Sequence, residues 1–298
     1  MRIDSILTSL DKPKHEQLAL ARAVTLADRA QVPLTLAAFC WQPLADRGAE
    51  FTPAVRDAIR RQLVDERRTW QRELVEAQEI EHLDVRRKTV WTEDIARWVA
   101  KEAEKHNGTL VVKSVHKSRT LLHTPLDWKL LRESRAPILL VQPRKRRTIR
   151  NILAALDLRN IDEMHQRLNR KVMDAAATFA RLFDAKVHCV YAVEVSQVLR
   201  DLDIVDPRRA LKNARKASRD ALEELLEPYG ISPKAVHFPV AKVGQAVSAV
   251  SRAVRADLLV VGTSARRARQ RLGLGNSAER LLTKAVCDVL AVHPGAAS

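Results

Sequence analysis

The residue types best suited to chemistry are gathered in one stretch, Leu258 to Pro294. An apolar run, Leu258 to Val261, stops at Gly262, and four arginines follow: Arg266, Arg267, Arg269 and Arg271. Gly273, Gly275, Asn276 and Ser277 then open an amphipathic segment that leads to a second apolar run, Val289 to Val292. Strand, glycine-bounded loop, helix and strand in that order place a loop over the carboxyl edge of a parallel sheet, where ligands bind. The backbone N–H groups of such a loop and the N-terminus of the following helix suit an anion. The arginines are candidate phosphate contacts; solvated loop arginines are the competing reading.

Other reactive side chains give less. Asp11 and Asp157 each end a short apolar strand, Ile6–Leu10 and Ile152–Leu156. Neither has a nucleophile, a Ser/His constellation or a second carboxylate at fixed spacing, so binding or helix capping is expected of them rather than catalysis. His116 and His123 share one loop, but no third or fourth ligand completes a zinc site. Trp98 and Trp128 fall at helix-core spacing with Ile95 and Leu131, whereas Trp91 follows a strand near the carboxyl edge and is a candidate pocket wall. Cys40 and Cys189 sit in apolar runs, and Cys287 is far from both, which fits buried thiols in a reducing cytosol.

The elements that position these residues occur twice. Ile6–Asp11 parallels Ile152–Asp157, Leu110–Ser114 parallels Leu259–Thr263, and Pro137–Pro143 parallels Asp288–Pro294. The offset is 146 residues at Asp11/Asp157 and 149 at Leu110/Leu259, a drift small enough to indicate duplication. Each copy alternates strands with helices, which implies parallel sheets with right-handed crossovers. Continuous apolar strands imply that both sheet faces are covered. In the first copy, Pro53 starts a long charged helix to about Gln78, and Asn107-Gly108 ends a helix from about Glu93. In the second, helices are expected at about Glu163–Phe183 and Pro207–Tyr229, and strands at Val187–Val193 and Val236–Val240, with Gly244 opening the next helix. The domains are read as residues 1–143 and 151–298, joined by a basic linker at 144–150 that contains Arg144-Lys145-Arg146-Arg147. Ile138–Val141 and Val289–Val292 are apolar edge strands expected to pair between copies or chains.

Composition bounds the function classes. At 298 residues and 46% hydrophobic the chain supports two cores, built from aliphatic side chains because aromatics make up only 4%. No apolar run of about 18 residues is present and the N-terminus lacks an apolar signal region, so no membrane span or secretion is expected. The net charge of +16 suits an anionic partner, although most basic residues alternate with Asp and Glu as on a solvated helix face.

The duplicated plan resembles the universal stress protein family, specifically its tandem, UspE-like members. The resemblance rests on Ile152–Asp157, Val261-Gly262, Leu274–Glu279 and Cys287-Asp288 in the second copy. In the first it rests on Val90-Trp91, Leu110–Lys113 and His123-Thr124-Pro125-Leu126-Asp127-Trp128-Lys129-Leu130-Leu131-Arg132. It implies two Rossmann-like α/β domains, each with a five-stranded parallel sheet, forming a pseudo-dimer inside one chain. ATP-binding members carry G-x2-G-x9-G-[ST] after strand four. Gly262 and Gly275 match its first and third glycines; Ala265 replaces the second, and Asn276, followed by Ser277, replaces the hydroxyl residue. Asp157 matches the acidic residue facing the nucleoside, Val193 the residue against the base, and Val261 precedes the first glycine. The first copy has Lys113, His116, His123 and Thr124 at the equivalent places and keeps no glycine. The resemblance therefore implies a cytoplasmic stress-response protein that works by ligand binding and regulation, with a partial site for ATP, another nucleotide with Mg2+, or a small anion in the second domain. A weak ATP hydrolase at the same loop, and a nucleic-acid or anionic-partner binder using the basic patches, are the alternatives. A homodimer beyond the pseudo-dimer is compatible with this reading.

Overall fold

The computed structural model describes residues 1–48, 50–80, 82–115, 126–143, 148–159, 162–195, 206–263, 285 and 287–294. The chain divides into two compact units, Arg2–Pro143 and Arg144–Ser298 together with Met1. The first unit runs β1 (Ser5–Ser9), α1 (Leu18–Ala30), β2 (Leu34–Cys40), α2 (Pro43–Arg47), α3 (Pro53–Ala77), β3 (Val85–Trp91), α4 (Ile95–Ala103), β4 (Thr109–Ser114), α5 (Leu126–Glu133) and β5 (Ile138–Val141). Its strands lie in the order β3-β2-β1-β4-β5, all parallel. The two central strands are apolar and almost wholly buried, because helices cover both faces: Ile6 and Leu7 in β1, Leu110 to Val112 in β4. The terminal strand β3 reads VRRKTVW and is half exposed and charged.

Local chemistry fixes the element ends. The Thr52 hydroxyl accepts from the Val55 N–H at 3.4 Å with Pro53 in the first turn, so α3 begins where the proline places it. Only Gln71 of α3 is buried; its amide donates to the Leu36 carbonyl at 2.8 Å and accepts from the Thr89 hydroxyl at 3.1 Å, pinning the helix to β2 and β3. Asp94 caps α4 by accepting from the Arg97 N–H at 3.1 Å. The turn beyond α4 ends at Gly108 with φ 78°.

The second unit repeats this with β6 (Asn151–Ala155), α6 (Glu163–Phe183), β7 (Lys186–Val190), α7 (Pro207–Ala217), α8 (Arg219–Leu226), a 3₁₀ turn (Glu227–Tyr229), β8 (Val236–His237), α9 (Val243–Ala253), β9 (Leu258–Gly262) and β10 (Asp288–Val292). The order is β8-β7-β6-β9-β10, again parallel. Helix α6 has the bounds expected from its periodicity, capped by Asp162 at 2.9 Å from the His165 N–H. Three expectations shift. The single helix Pro207–Tyr229 is two helices broken at Ser218, whose hydroxyl bonds back to the Ala214 carbonyl at 2.7 Å. The strand expected at Val187–Val193 ends at Val190. The strand expected at Val236–Val240 stops at His237, because Pro239 has no N–H to give, and Val240 returns only as a bridge to Val193.

All three cysteines are buried and free, and burial pushes the Cys189 thiol up to about 12, which suits packing rather than reactivity. Among the described residues no helix is long and apolar enough to cross a membrane.

Gly108 carries the clearest local prediction. A Cβ there would be strained by the positive φ and would overlap the Asp4 carboxyl group. Gly108→Ala should lower unfolding free energy by about 1–3 kcal/mol in urea titration; an unchanged midpoint would show that the turn relaxes freely.

Candidate functional site

Both sheets share one topological feature. The chain steps outward from the first strand to the second and third, then returns to the other side of the first for the fourth. A crevice opens at that reversal, beyond the carboxyl ends of the first and fourth strands. In the second unit these are β6 and β9, in register with Ala154 opposite Val260. Asp157 and Gly262 therefore leave their strands over the same crevice.

An amide clamps each strand end. The Asp157 N–H donates to Asn169 Oδ1 at 3.0 Å, and Asn169 Nδ2 donates back to the Asp157 carbonyl at 2.8 Å. In the first unit the Asp11 N–H donates to Gln17 Oε1 at 3.1 Å and Gln17 Nε2 donates to the Asp11 carbonyl at 3.4 Å. The two clamps come from different sequence offsets, so the repeat alignment alone does not reveal them. Each aspartate carboxylate is left to be directed by its own neighbours.

Those neighbours differ. In the first unit the Ser114 hydroxyl, at the end of β4, donates to Asp11 Oδ2 at 2.5 Å and accepts from the Ala19 N–H at 2.9 Å. Asp11 is consequently buried. In the second unit Gly262 takes the place of Ser114, lying opposite Val292 as Ser114 lies opposite Val141, so that place offers no hydroxyl, and the Thr263 hydroxyl one residue on donates to the Val292 carbonyl at 3.2 Å. The Asp157 side chain stays 38% exposed. Its Oδ1 accepts from the Arg159 N–H at 3.2 Å, with Arg159 Nε 3.8 Å away.

The last residue of the fourth strand separates the units further. Gly262 has α6 pressed against it, and a Cβ there would overlap the Leu168 side chain. Its glycine is needed for helix–strand packing as well as for any backbone approach by a ligand. Ser114 holds this place in the first unit, and Lys113, expected there from the repeat, stands one residue earlier, at the place of Val261. The Lys113 side chain is 6% exposed and its ammonium lies 2.9 Å from Asp127 Oδ1 on α5. The ammonium also donates to the Ser114 carbonyl at 2.7 Å. Two residues on, Lys129 reaches Asp94, the cap of α4, at 2.7 Å. The Asp127-Trp128-Lys129 run thus ties α5 to β4 with one ion pair and to α4 with another. Sequence reading aligned Lys113 with the glycine, one residue out of register, and missed the pair, because Lys113 and Asp127 come from separate elements.

A further network borders the second crevice. Arg159 Nη1 donates to Glu194 Oε2 at 2.9 Å, and Glu194 Oε1 accepts from the Val243 N–H, the first of α9, at 2.9 Å. Lys242, at the cap position, makes no side-chain cap bond, so Glu194 caps the helix from a different segment. The Val243 amide, against some desolvation and with help from Arg159, holds the Glu194 carboxyl below the usual carboxylate range. Burial opposes the Arg159 cation, but Glu194 and then Asp157 outweigh it and raise its pKa. Neither Arg159 nor Glu194 carries a motif that would have singled it out.

The other expected site residues divide cleanly. Val261 is buried in β9 opposite Ala291, and Val193 is buried with its N–H on the Pro239 carbonyl at 2.9 Å. Trp91 ends β3, where Asp46 Oδ1 accepts from its indole at 3.4 Å and Arg60 covers its face at 5.5 Å. Ala265, Arg266, Arg267, Arg269, Arg271, Gly275, Asn276 and Ser277 lie outside the described residues, as do His116, His123 and Arg144–Arg147. Among the described residues no group of three His, Cys, Asp or Glu could hold a metal ion.

Three variants test this geometry. Asp127→Ala strands a buried ammonium and should cost about 3–5 kcal/mol by urea unfolding, while Lys113→Met with Asp127→Leu should recover most of the loss. Equal stability of Asp127→Ala and the parent would refute the buried pair. Glu194→Ala should cost about 1 kcal/mol at neutral pH. Because its folded pKa is depressed, that contribution is present above about pH 4.3 and disappears as pH falls through the folded value. A difference between parent and variant that grows on acidification would contradict the assignment.

The model described as the universal stress protein family matches residues 2–142 and again residues 148–293. The chain is 24% identical over 304 residues to the universal stress protein E homolog of Haemophilus influenzae, covering 99% of this chain and 98% of that one. It is 26% identical over 300 residues to universal stress protein E of Escherichia coli K12, covering 97% and 94%. Among solved structures it is similar to a functionally unknown protein from Pseudomonas aeruginosa PAO1, at 25% identity and TM-score 0.71 over 98% of this chain and 93% of that one. A universal stress protein from Archaeoglobus fulgidus shares the fold at 13% identity and TM-score 0.65, covering 99% and 97%.

Proposed function

The chain belongs to the universal stress protein family as a tandem member, and from that premise we propose that it acts in the stress response by binding a nucleotide or another small phosphate-bearing anion in its second unit alone. The observation that carries this reading is the contrast at one place in the fold. Beside Gly262 the Asp157 carboxylate is partly exposed over the crevice, whereas in the first unit the Asp11 carboxylate is buried on Ser114.

The chemistry divides along the crevice. Asp157 accepts hydrogen bonds from the sugar or base of a nucleoside, and Val193 and Val261 supply an apolar wall. Arg159 sets the orientation of the Asp157 carboxylate and balances its charge against Glu194. Phosphates belong beyond Gly262, toward Arg266, Arg267, Arg269 and Arg271 and the Gly275-Asn276-Ser277 run. Ala265 adds one methyl where ATP-binding members have glycine, which narrows the backbone's approach to phosphate without filling the site. Arginines, which bind phosphate oxygens in bidentate fashion, offset that loss. A divalent cation such as Mg2+ would come with the nucleotide's phosphates.

Calorimetric titration of the full chain with MgATP tests this. Binding is expected, and Asp157→Ala should weaken it by about 10- to 100-fold, the worth of a charged hydrogen bond. Asp11→Ala should leave the affinity unchanged. A flat titration by the unaltered chain, for ATP and for free phosphate alike, would remove the reading.

A further inference from the structure

We propose that the outer edge of β3 in the first unit is a docking strip for an extended acidic segment of another protein, which adds to the sheet as a further strand. At one end of β3 the Leu34 N–H donates to the Asp84 carbonyl at 2.9 Å, and at the other the Thr92 N–H donates to the Cys40 carbonyl at 3.2 Å. Along one side of a parallel ladder, bonded residues alternate. The even-numbered residues therefore face β2, and Val85, Arg87, Thr89 and Trp91 present their backbone N–H and C=O groups outward. Among the described residues β3 pairs with no strand but β2. Such an edge is a template for another chain.

The chemistry along the edge narrows the occupant. A cleft of about 570 Å³ is lined by Arg87 to Val90, whose side chains alternate between sheet faces, by Arg68 and Arg72 of α3, and by Trp98 of α4. Lining from both faces places the cleft along the strand edge. Arg68, Arg72 and Arg87 are exposed, and among the described residues Arg72 and Arg87 have no carboxylate partner. Lys88 is held by Glu102 and contributes less. A second copy of this chain would bring the same cations against themselves. A phosphodiester offers only acceptors, so it would leave the outward carbonyls unpaired, and the aromatic faces on which a base would stack are taken. Arg60 covers Trp91 at 5.5 Å, Arg67 covers Trp70 at 5.3 Å, and Trp98 meets Phe39 edge-on at 5.4 Å. An extended peptide supplies alternating donors and acceptors, and acidic side chains on alternate residues meet the arginines.

The probe is a fluorescein-labelled decapeptide of alternating Glu and Thr, followed by anisotropy with the full chain at low salt. Binding is expected, with amide exchange slowed across residues 85–91. Arg72→Glu combined with Arg87→Glu should weaken it at least tenfold, as should methylation of alternate peptide amides. If the double variant does not fold, the methylated peptide and the exchange pattern decide on the unaltered chain. Absence of binding would mean that the cations only keep the edge from pairing, and overturns the proposal. Equal binding of the methylated peptide, or tighter binding of single-stranded DNA of the same charge, overturns it as well.

Discussion

A buried ammonium must have a carboxylate beside it, and this requirement sets the two halves of the chain apart. Lys113 stands one residue before the end of β4, where its counterpart in β9 is Val261. Once a lysine occupies that place, burial demands Asp127 on the next helix, and the pair ties α5 to the strand. Removing either partner alone is costly, so the pair is self-maintaining. In the other unit Gly262, at the place of Ser114, lets α6 pack directly on the strand.

Around this difference the shared machinery is conservative in its physics rather than in its residues. Both first strands end on an aspartate whose backbone is held on each side by a side-chain amide, Gln17 in one unit and Asn169 in the other. What changes is the partner of the carboxylate. Ser114 draws Asp11 inward; Gly262 at the same place offers no hydroxyl, and Asp157 stays partly exposed, bonded to the Arg159 N–H. Arg159 in turn depends on Glu194, and Glu194 caps α9. A carboxylate at a helix N-terminus is favourable on its own, so the chain of bonds joins the stability of α9 to the orientation of Asp157.

Much of the fold was legible because it is written in short-range signals. The apolar strands, Pro53 at the head of α3, the bounds of α6 and the glycine after α4 each follow from residues within a few positions of one another. The errors fall where one local residue overrides a longer pattern: Ser218 breaks an otherwise continuous helix, and Pro239 cuts a strand short. At the site, Asp157 and Gly262 could be read from the duplicated strands and the family signature. Asn169, Arg159, Glu194 and the Lys113–Asp127 pair could not, because each acts through a partner from another element, and a side chain at one position does not announce which distant atom it will meet.

The central proposal is that the second unit alone holds a nucleotide, and the number of nucleotides bound per chain tests it most directly. Equilibrium dialysis of the full chain against labelled ATP at saturating concentration should give one nucleotide per chain. A value of two would mean that the burial of Asp11 on Ser114 does not exclude a nucleotide from the first unit, and a value of zero would mean that the crevice beside Asp157 and Gly262 does not hold a nucleotide.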